Sequence, residues 1–432
     1  MIDTGDTAWT MASGALVMFM TIGLGVFYTG LVRPKNGLNT FMMCVAALPV
    51  VTISWALIGY SLAFGEGSGF IGNFDHAFLK DVGFEPREGQ TVPHLVFFMF
   101  QATFCILTAA LVSGAVVERM RFLPYLGFIA IWSILVYPVM AHWVFGGGFL
   151  SGGNGVLWAE GGTLDFAGGV PVEMGSGFSA LAAALIVGAR KDYGRLALLP
   201  HNTIYVLLGA GILWFGWFGF NGGSGIGTNN ASVLAFANTL LTPACTLATW
   251  FLLDYLRRRR ITAVGAGTAI IVGCVGITPA GAFVSPAWAM VLGVLVTLPC
   301  YAVIVWRPRT HVDETLDVLA AHGIAGLTGI LFIGFAAQIA WNDAADGLFY
   351  GESQLLGDQF LAAIVAPAYA FIATYLILSV IKAIGGLRAS EREEALGMDV
   401  ISHGEEAYVS GEGAVLVTPE SPRDHELVAG PG

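Results

Sequence analysis

The sequence predicts an all-α integral membrane protein of eleven transmembrane helices, with spans 1–5 and 6–10 related as an inverted repeat and an eleventh helix added. Three observations predict it. Hydrophobic residues make up 56% of the 432 residues and charged residues only 11%, where a soluble domain carries about a quarter charged residues. Apolar runs of roughly 20 residues, the length that crosses a bilayer, recur along the whole chain. The basic residues cluster after alternate runs. Mean hydropathy is +0.74, which places the lipid bilayer among the chain's partners.

In order, the runs cover about 9–32, 38–65, 94–117, 122–144, 167–189, 200–221, 231–256, 262–281, 286–306, 317–340 and 357–384. The first is too long for a signal-peptide core and follows Asp3 and Asp6 rather than basic residues. No cleavable leader is expected, and the N-terminus is expected outside. The eighth and ninth runs are separated only by a short turn containing Gly and Pro, so they are the pair most easily merged.

Charge placement sets the orientation. Arg33 and Lys35 follow span 1, Arg119 and Arg121 span 3, and Arg190, Lys191 and Arg195 span 5. Arg257 to Arg260 follow span 7, and Arg307 and Arg309 span 9. Lys382, Arg388, Arg392 and Arg423 follow span 11. Of the 19 basic residues only Lys80 and Arg87 follow an even-numbered span. Odd-numbered loops are therefore cytoplasmic, with the N-terminus outside and the C-terminus inside the cell (inner) membrane. Residues 1–386 form the transmembrane domain and 387–432 a cytoplasmic tail. The tail holds ten acids against three bases, so past Gly411 it reads as a solvated end. Glu391–Asp399 has helical composition and is expected to pack on the cytoplasmic loops.

Cys44, Cys105, Cys245, Cys274 and Cys300 each lie in an apolar run without metal or redox spacing, so they read as small buried hydrophobes. No metal, cofactor or nucleic-acid partner is expected. The Gly222–Gly227 stretch has no basic partner and is not a phosphate loop.

Ionisable groups inside spans are costly and default to function. Glu173 lies inside span 5 and His322 inside span 10. Glu118 and Asp254, beside Arg119 and Arg257, read as interfacial ion pairs. Spans 5 and 10 look alike: each begins with an acid, Asp165 or Asp317, and each carries one ionisable residue followed four later by glycine, Gly177 or Gly326. Five spans apart, they run antiparallel, as an inverted repeat requires. Such a repeat brings equivalent residues together near midplane, where a carboxyl and an imidazole share a proton. A hydrogen bond that only packs two helices is the competing reading.

These residues belong to longer stretches that carry a resemblance: Phe27–Gly37 (FYTGLVRPKNG), Gly59–Glu66 (GYSLAFGE), Ala115–Phe122 (AVVERMRF), Leu164–Gly169 (LDFAGG), Pro200–Asn202 (PHN), Trp214–Ser224 (WFGWFGFNGGS), Ile277–Ala280 (ITPA), Asp317–Gly323 (DVLAAHG) and Gly397–Tyr408 (GMDVISHGEEAY). Together they make the chain resemble the Amt/Mep/Rh ammonium transporters, closest to the bacterial Amt branch, from span 1 to about Tyr408. The resemblance implies eleven helices, a homotrimer with one pore per subunit, and ammonium or ammonia as the solute. It also implies a PII-type regulatory protein docking on the cytoplasmic face. Carried over by motif, Phe100, Phe104, Phe145, Ser224 and Asp165 belong to a recruitment site. Phe104 and Phe220 are stacked gate rings, and Trp217, Glu173, His322 and Thr278 line the pore.

Two positions depart from the family pattern. A pore histidine is usual where Glu173 stands, and a tryptophan where Phe145 stands. The first change alters the proton route; the second weakens the cation–π attraction and removes an indole N–H. The altered positions also motivate an ammonium sensor that binds without conducting. An intramembrane enzyme using Glu173 and His322 lacks any nucleophile, metal cluster or cofactor motif.

Overall fold

The computed structural model describes residues 1–152 and 162–408. Among the described residues ten helices are long and apolar enough to cross a membrane: Thr4–Leu31, Pro34–Phe64, His94–Ser113, Phe122–Phe145, Gly169–Val187, Thr203–Gly223, Asn230–Arg258, Pro286–Arg309, Leu319–Ala336 and Gln354–Gly385. A shorter apolar helix, Ala263–Ile277, makes the eleventh. It takes the place of span 8, and a turn closed by the Ser285 cap separates it from span 9. The two runs do not merge.

Span 8 is shorter than expected because Pro279 and Gly281 follow Ile277. At 15 residues it rises only about 22 Å, short of the roughly 30 Å apolar layer. The non-helical backbone beyond it is buried in protein and satisfied there. Phe166 N–H donates to the Pro279 carbonyl at 3.0 Å, and Gln338 N–H to the Phe283 carbonyl at 3.0 Å. Irregular backbone at membrane depth is tolerated under that condition.

The two halves repeat the same neighbour pattern. Span 1 packs on span 3 and span 6 on span 8; span 2 packs on spans 3 and 4, and span 7 on spans 8 and 9. The most extensive pairing joins spans 1 and 6, which are equivalent in the repeat. Small residues permit it: a Cβ at Gly209 would sit 2.4 Å from the Phe27 nitrogen, and one at Gly30 2.6 Å from the Asn202 carbonyl oxygen. Span 11 packs outside the repeat, on spans 5 and 10.

The structure corrects the equivalence of the acids. Glu173 and His322 are 149 residues apart. The same offset takes Gly177 to Gly326, Gly168 to Asp317, and Asp165 to Glu314 rather than to Asp317. Geometry agrees. Gly168 and Asp317 both have positive φ, 114° and 60°. Asp165 accepts from the backbone N–H of Gly168, Gly169 and Val170 at 2.7–2.9 Å, and Glu314 accepts from Leu319 N–H at 3.2 Å. Each acid thus caps the first turn of its span. Both first turns are wide π-helical segments, Gly169–Met174 and Leu319–Ile324, a distortion found often at functional sites.

At the arginine-rich end, the interfacial acids choose partners other than their sequence neighbours. Glu118 takes Arg33 Nε at 3.1 Å and Arg190 Nη1 at 2.7 Å, not Arg119. Arg190 also clasps Asp313 at 2.8 Å. Arg119 is fully buried and spends its donors on the carbonyls of Ala115, Gly188 and Asp313. Asp254 accepts from the Thr262 hydroxyl at 2.6 Å and from Tyr301 at 3.2 Å instead of pairing with Arg257. Burial alone would push the Glu118 carboxyl up, but Arg190 and Arg33 hold it below the ordinary carboxylate range. Asp313 is held down in the same way by Arg190.

The tail docks on this network. Glu391–Leu396 and Met398–His403 are helical. Asp399 accepts from Leu38 N–H at 3.0 Å and Asn39 N–H at 2.7 Å, so the tail caps the start of span 2. Lys35 Nζ donates to the Glu394 carbonyl at 2.9 Å, and Lys191 N–H to the Glu394 carboxylate at 3.0 Å. The solvated segment expected past Gly411 lies outside the described residues.

Candidate functional site

Three cavities follow one another through the molecule. The first, at the end opposite the arginines, is lined by Phe104, Phe145, Ser224, Arg87, Gln90 and Gln101 among others. The second, a narrow space, is lined by Trp217, Phe220, Glu173, His322 and an apolar wall that includes Leu107, Leu111, Leu213 and Ile271. The third opens among Arg190, Tyr193, Arg307 and Asp317. Val172 borders the first two, and Thr268 and Leu316 border the last two. They therefore adjoin one another along one line.

Two rings close the path between the first and second cavities. Phe104 faces the first cavity and Phe220 the second, with centroids 4.6 Å apart at 63°. The rings meet edge to face, not stacked as expected; an aromatic quadrupole favours this arrangement. The stacked pair is Trp217 with Phe220, at 5.3 Å and 27°.

In the first cavity, Ser224 donates its hydroxyl to the Phe220 carbonyl at 2.8 Å. Its proton is thus committed, and its oxygen lone pairs remain to accept from an N–H. Phe100 does not line this cavity. It is fully buried behind Phe104, 4.8 Å away, against Gly223. Asp165 is also not at the surface of the cavity; it holds the Gly168–Val170 backbone, of which Gly168 is lining. Sequence reading missed Gln101, which sits inside the FQATF stretch between Phe100 and Phe104, and Arg87 and Gln90 in the loop before span 3.

The second cavity holds Glu173 and His322. His322 Nδ1 meets Glu173 Oε2 at 2.7 Å. Glu173 Oε1 is buried and has no hydrogen-bond partner among the described residues. A free carboxylate oxygen in an apolar cavity is an acceptor awaiting a donor. Close backbone approach sets the pair. A Cβ at Gly177 would lie 2.2 Å from the Gly323 nitrogen, and one at Gly326 2.5 Å from Glu173 Cβ. Only glycine lets the two spans come this near. Thr278, expected in the pore, stands one step back. It accepts from Trp217 Nε1 at 2.8 Å and donates to the Cys274 carbonyl at 2.9 Å, which fixes the indole.

At the mouth of the third cavity, Arg307 Nε bonds Asp317 at 2.6 Å. Burial pushes Glu314 and Asp317 above the usual carboxylate range, Asp317 adding to it at Glu314, while Arg307 opposes it. Among the described residues no cluster of His, Cys, Asp and Glu could hold a metal ion.

A bundle of apolar spans built as an inverted repeat, with a narrow path through it and one buried acid–imidazole pair at its centre, defines a membrane transport protein. The comparisons say which kind: residues 8–408 match the model of the Ammonium Transporter Family, and the chain belongs to that family, whose members are transporters rather than enzymes. An ammonium transporter of Bacillus subtilis is 42% identical over 407 residues, covering 94% of this chain and 98% of that one. Among solved structures, Candida albicans Mep2 is 33% identical at a TM-score of 0.84, covering 91% of this chain and 88% of that one. A structure described as a sensor Amt protein is 29% identical at a TM-score of 0.83, with 92% and 98% covered.

Proposed function

We propose that the protein conducts ammonium inward across the cell membrane, capturing the cation outside, deprotonating it at the gate, and passing neutral ammonia through the pore while the buried pair relays the proton. The observation that carries this reading is the unpartnered Glu173 Oε1 in an otherwise apolar cavity, hydrogen-bonded through its twin oxygen to His322.

The steps follow from the groups present. In the vestibule, aromatic faces of Phe104 and Phe145 attract the cation, a contact worth roughly 1–2 kcal/mol where water is excluded. The Ser224 oxygen replaces a water as acceptor. Asp165 acts by holding the vestibule backbone, and Phe100 by backing the gate. The Phe104 and Phe220 rings must turn aside for a solute to pass. Beyond them an intact cation would face a barrier of roughly 3 to over 10 kcal/mol. Splitting it into ammonia and a proton avoids most of that barrier. The ammonia meets a wall of Leu and Ile, and the proton has Glu173 and His322 to ride on.

Charge placement supports an N-terminus outside and a cytoplasmic C-terminal tail, residues 387–432. Family likeness supports a homotrimer with one pore per subunit, which sizing in detergent checks. The same likeness supports a PII-type partner at the face where the tail docks. A PII trimer is expected to be retained by the full chain and not by a chain truncated at Gly386; equal retention by both would remove the tail from that role.

Proteoliposomes given ammonium, methylammonium or potassium test the function itself. Saturable currents with the first two and none with potassium are expected. Saturable ammonium binding without flux would instead support the sensor reading, to which the likeness of the sensor Amt structure points.

A further inference from the structure

Arg87 is one of two exceptions in the charge pattern, with Lys80, and the structure seats it in the vestibule. Its guanidinium carbon lies 4.7 Å from the Phe97 ring centroid and 5.4 Å from that of Phe64. Among the described residues its only hydrogen bond is a long one, 3.4 Å, to the Phe64 carbonyl. Among the described residues no carboxylate lies within ion-pair distance of it, although Glu85 and Glu88 are close in sequence. Guanidinium keeps its charge at every accessible pH. A permanent, uncompensated positive charge thus lines the same cavity as Phe104, Phe145 and Ser224.

A recruitment site for a cation has no use for such a charge unless the charge limits capture. We infer that Arg87 sets the affinity of the vestibule: seated on two aromatic rings as a tethered cation, it repels ammonium held against Phe104, Phe145 and Ser224. The inference rests on the transport reading. It assigns Arg87 to affinity and not to conduction, because the guanidinium lines the vestibule and not the pore cavity beyond the gate. The rings gain by this arrangement too, since each cation–π contact holds Arg87 in place without a carboxylate that would cancel its field.

Two consequences are measurable. Unit charges on the order of 8 Å apart, in surroundings between protein and water, shift an affinity roughly 3- to 30-fold. Repulsion across a solvent-filled cavity is also screened by salt, with a decay length of about 10 Å at 0.1 M. Half-saturation of the ammonium current is the quantity to follow, at fixed pH, in proteoliposomes of wild type, Arg87→Gln and Arg87→Lys, with ionic strength raised by the chloride of a large impermeant cation. Arg87→Gln is expected to lower half-saturation at least about threefold and to remove its salt dependence. Wild type and Arg87→Lys keep the higher half-saturation, which falls as salt rises.

An Arg87→Gln half-saturation equal to or above that of wild type overturns the inference, as does a wild-type half-saturation that is flat or rises with salt. The second readout needs no variant, so it decides the matter even if Arg87→Gln fails to fold. Absence of any wild-type ammonium current overturns the transport reading and this inference with it. A wild-type current with unchanged Arg87→Gln behaviour overturns this inference alone.

Discussion

Glu173→Ala is expected to lower the ammonium-evoked current at least about 100-fold. Among the described residues no other acid lines the cavity around the pair, and its wall is mostly apolar. Without the carboxylate, a proton parted from ammonium has only His322 to rest on and no acceptor oxygen beside it. About 3 kcal/mol added to a barrier is about 100-fold in rate, and the cost of an unsupported charge at midplane starts near that figure. Glu173→Gln separates chemistry from packing. It keeps the size of the side chain and an oxygen facing the pore, but it cannot carry a proton. It is expected to fold as wild type and still lose current. Currents of Glu173→Ala equal to wild type, in vesicles with equal protein content, would remove Glu173 from the conduction path.

Arg190→Ala has the largest expected effect on stability. Arg190 bridges Glu118 at 2.7 Å and Asp313 at 2.8 Å, both carboxylates fully buried, and its backbone N–H adds a third bond to Asp313. Removing one partner of a buried ionic network leaves uncompensated charge and costs about 3–5 kcal/mol. Thermal unfolding in detergent is expected to move down by roughly 3–6 °C. The sign with pH follows from the lowered carboxyls. Groups depressed in the folded state contribute stability above their unfolded values, which are 4.5 for Glu118 and 3.8 for Asp313, and lose it as pH falls through the folded values. The gap between wild type and Arg190→Ala is therefore full at pH 7 and closes below about pH 4. An equal gap at both ends would mean that packing, not charge, is what Arg190 supplies.

Much of this architecture was legible in the sequence, for physical reasons. Membrane spans announce themselves by composition because the bilayer tolerates nothing else. The clustering of basic residues after alternate spans is what the expected orientation rests on, because they resist translocation. Glu173 and His322 stood out because buried ionisable groups are rare, and the structure brings them to 2.7 Å.

What escaped depends on register and rotation. Asp317 lies nearer the apolar run than Glu314, so it looked like the partner of Asp165. Only the constant offset, fixed by two wide first turns and two positive-φ residues, shows that Asp317 stands where Gly168 does. The angle between Phe104 and Phe220 depends on how spans 3 and 6 are turned, which no local pattern encodes. The same rotation sends Phe100 into the core and Thr278 behind Trp217. Arg87 was visible as an exception to the charge pattern, but its place over Phe64 and Phe97 required the loop to be folded.

In the proposed cycle a cation enters, ammonia crosses, and the Glu173–His322 pair returns the proton to it on the far side. The most direct test measures charge and nitrogen together: the integrated current and the ammonium accumulated by the same proteoliposomes, in wild type. The account predicts about one charge moved per nitrogen taken up, with no current when potassium replaces ammonium. Nitrogen uptake without charge, or a potassium current through the same protein, would contradict it.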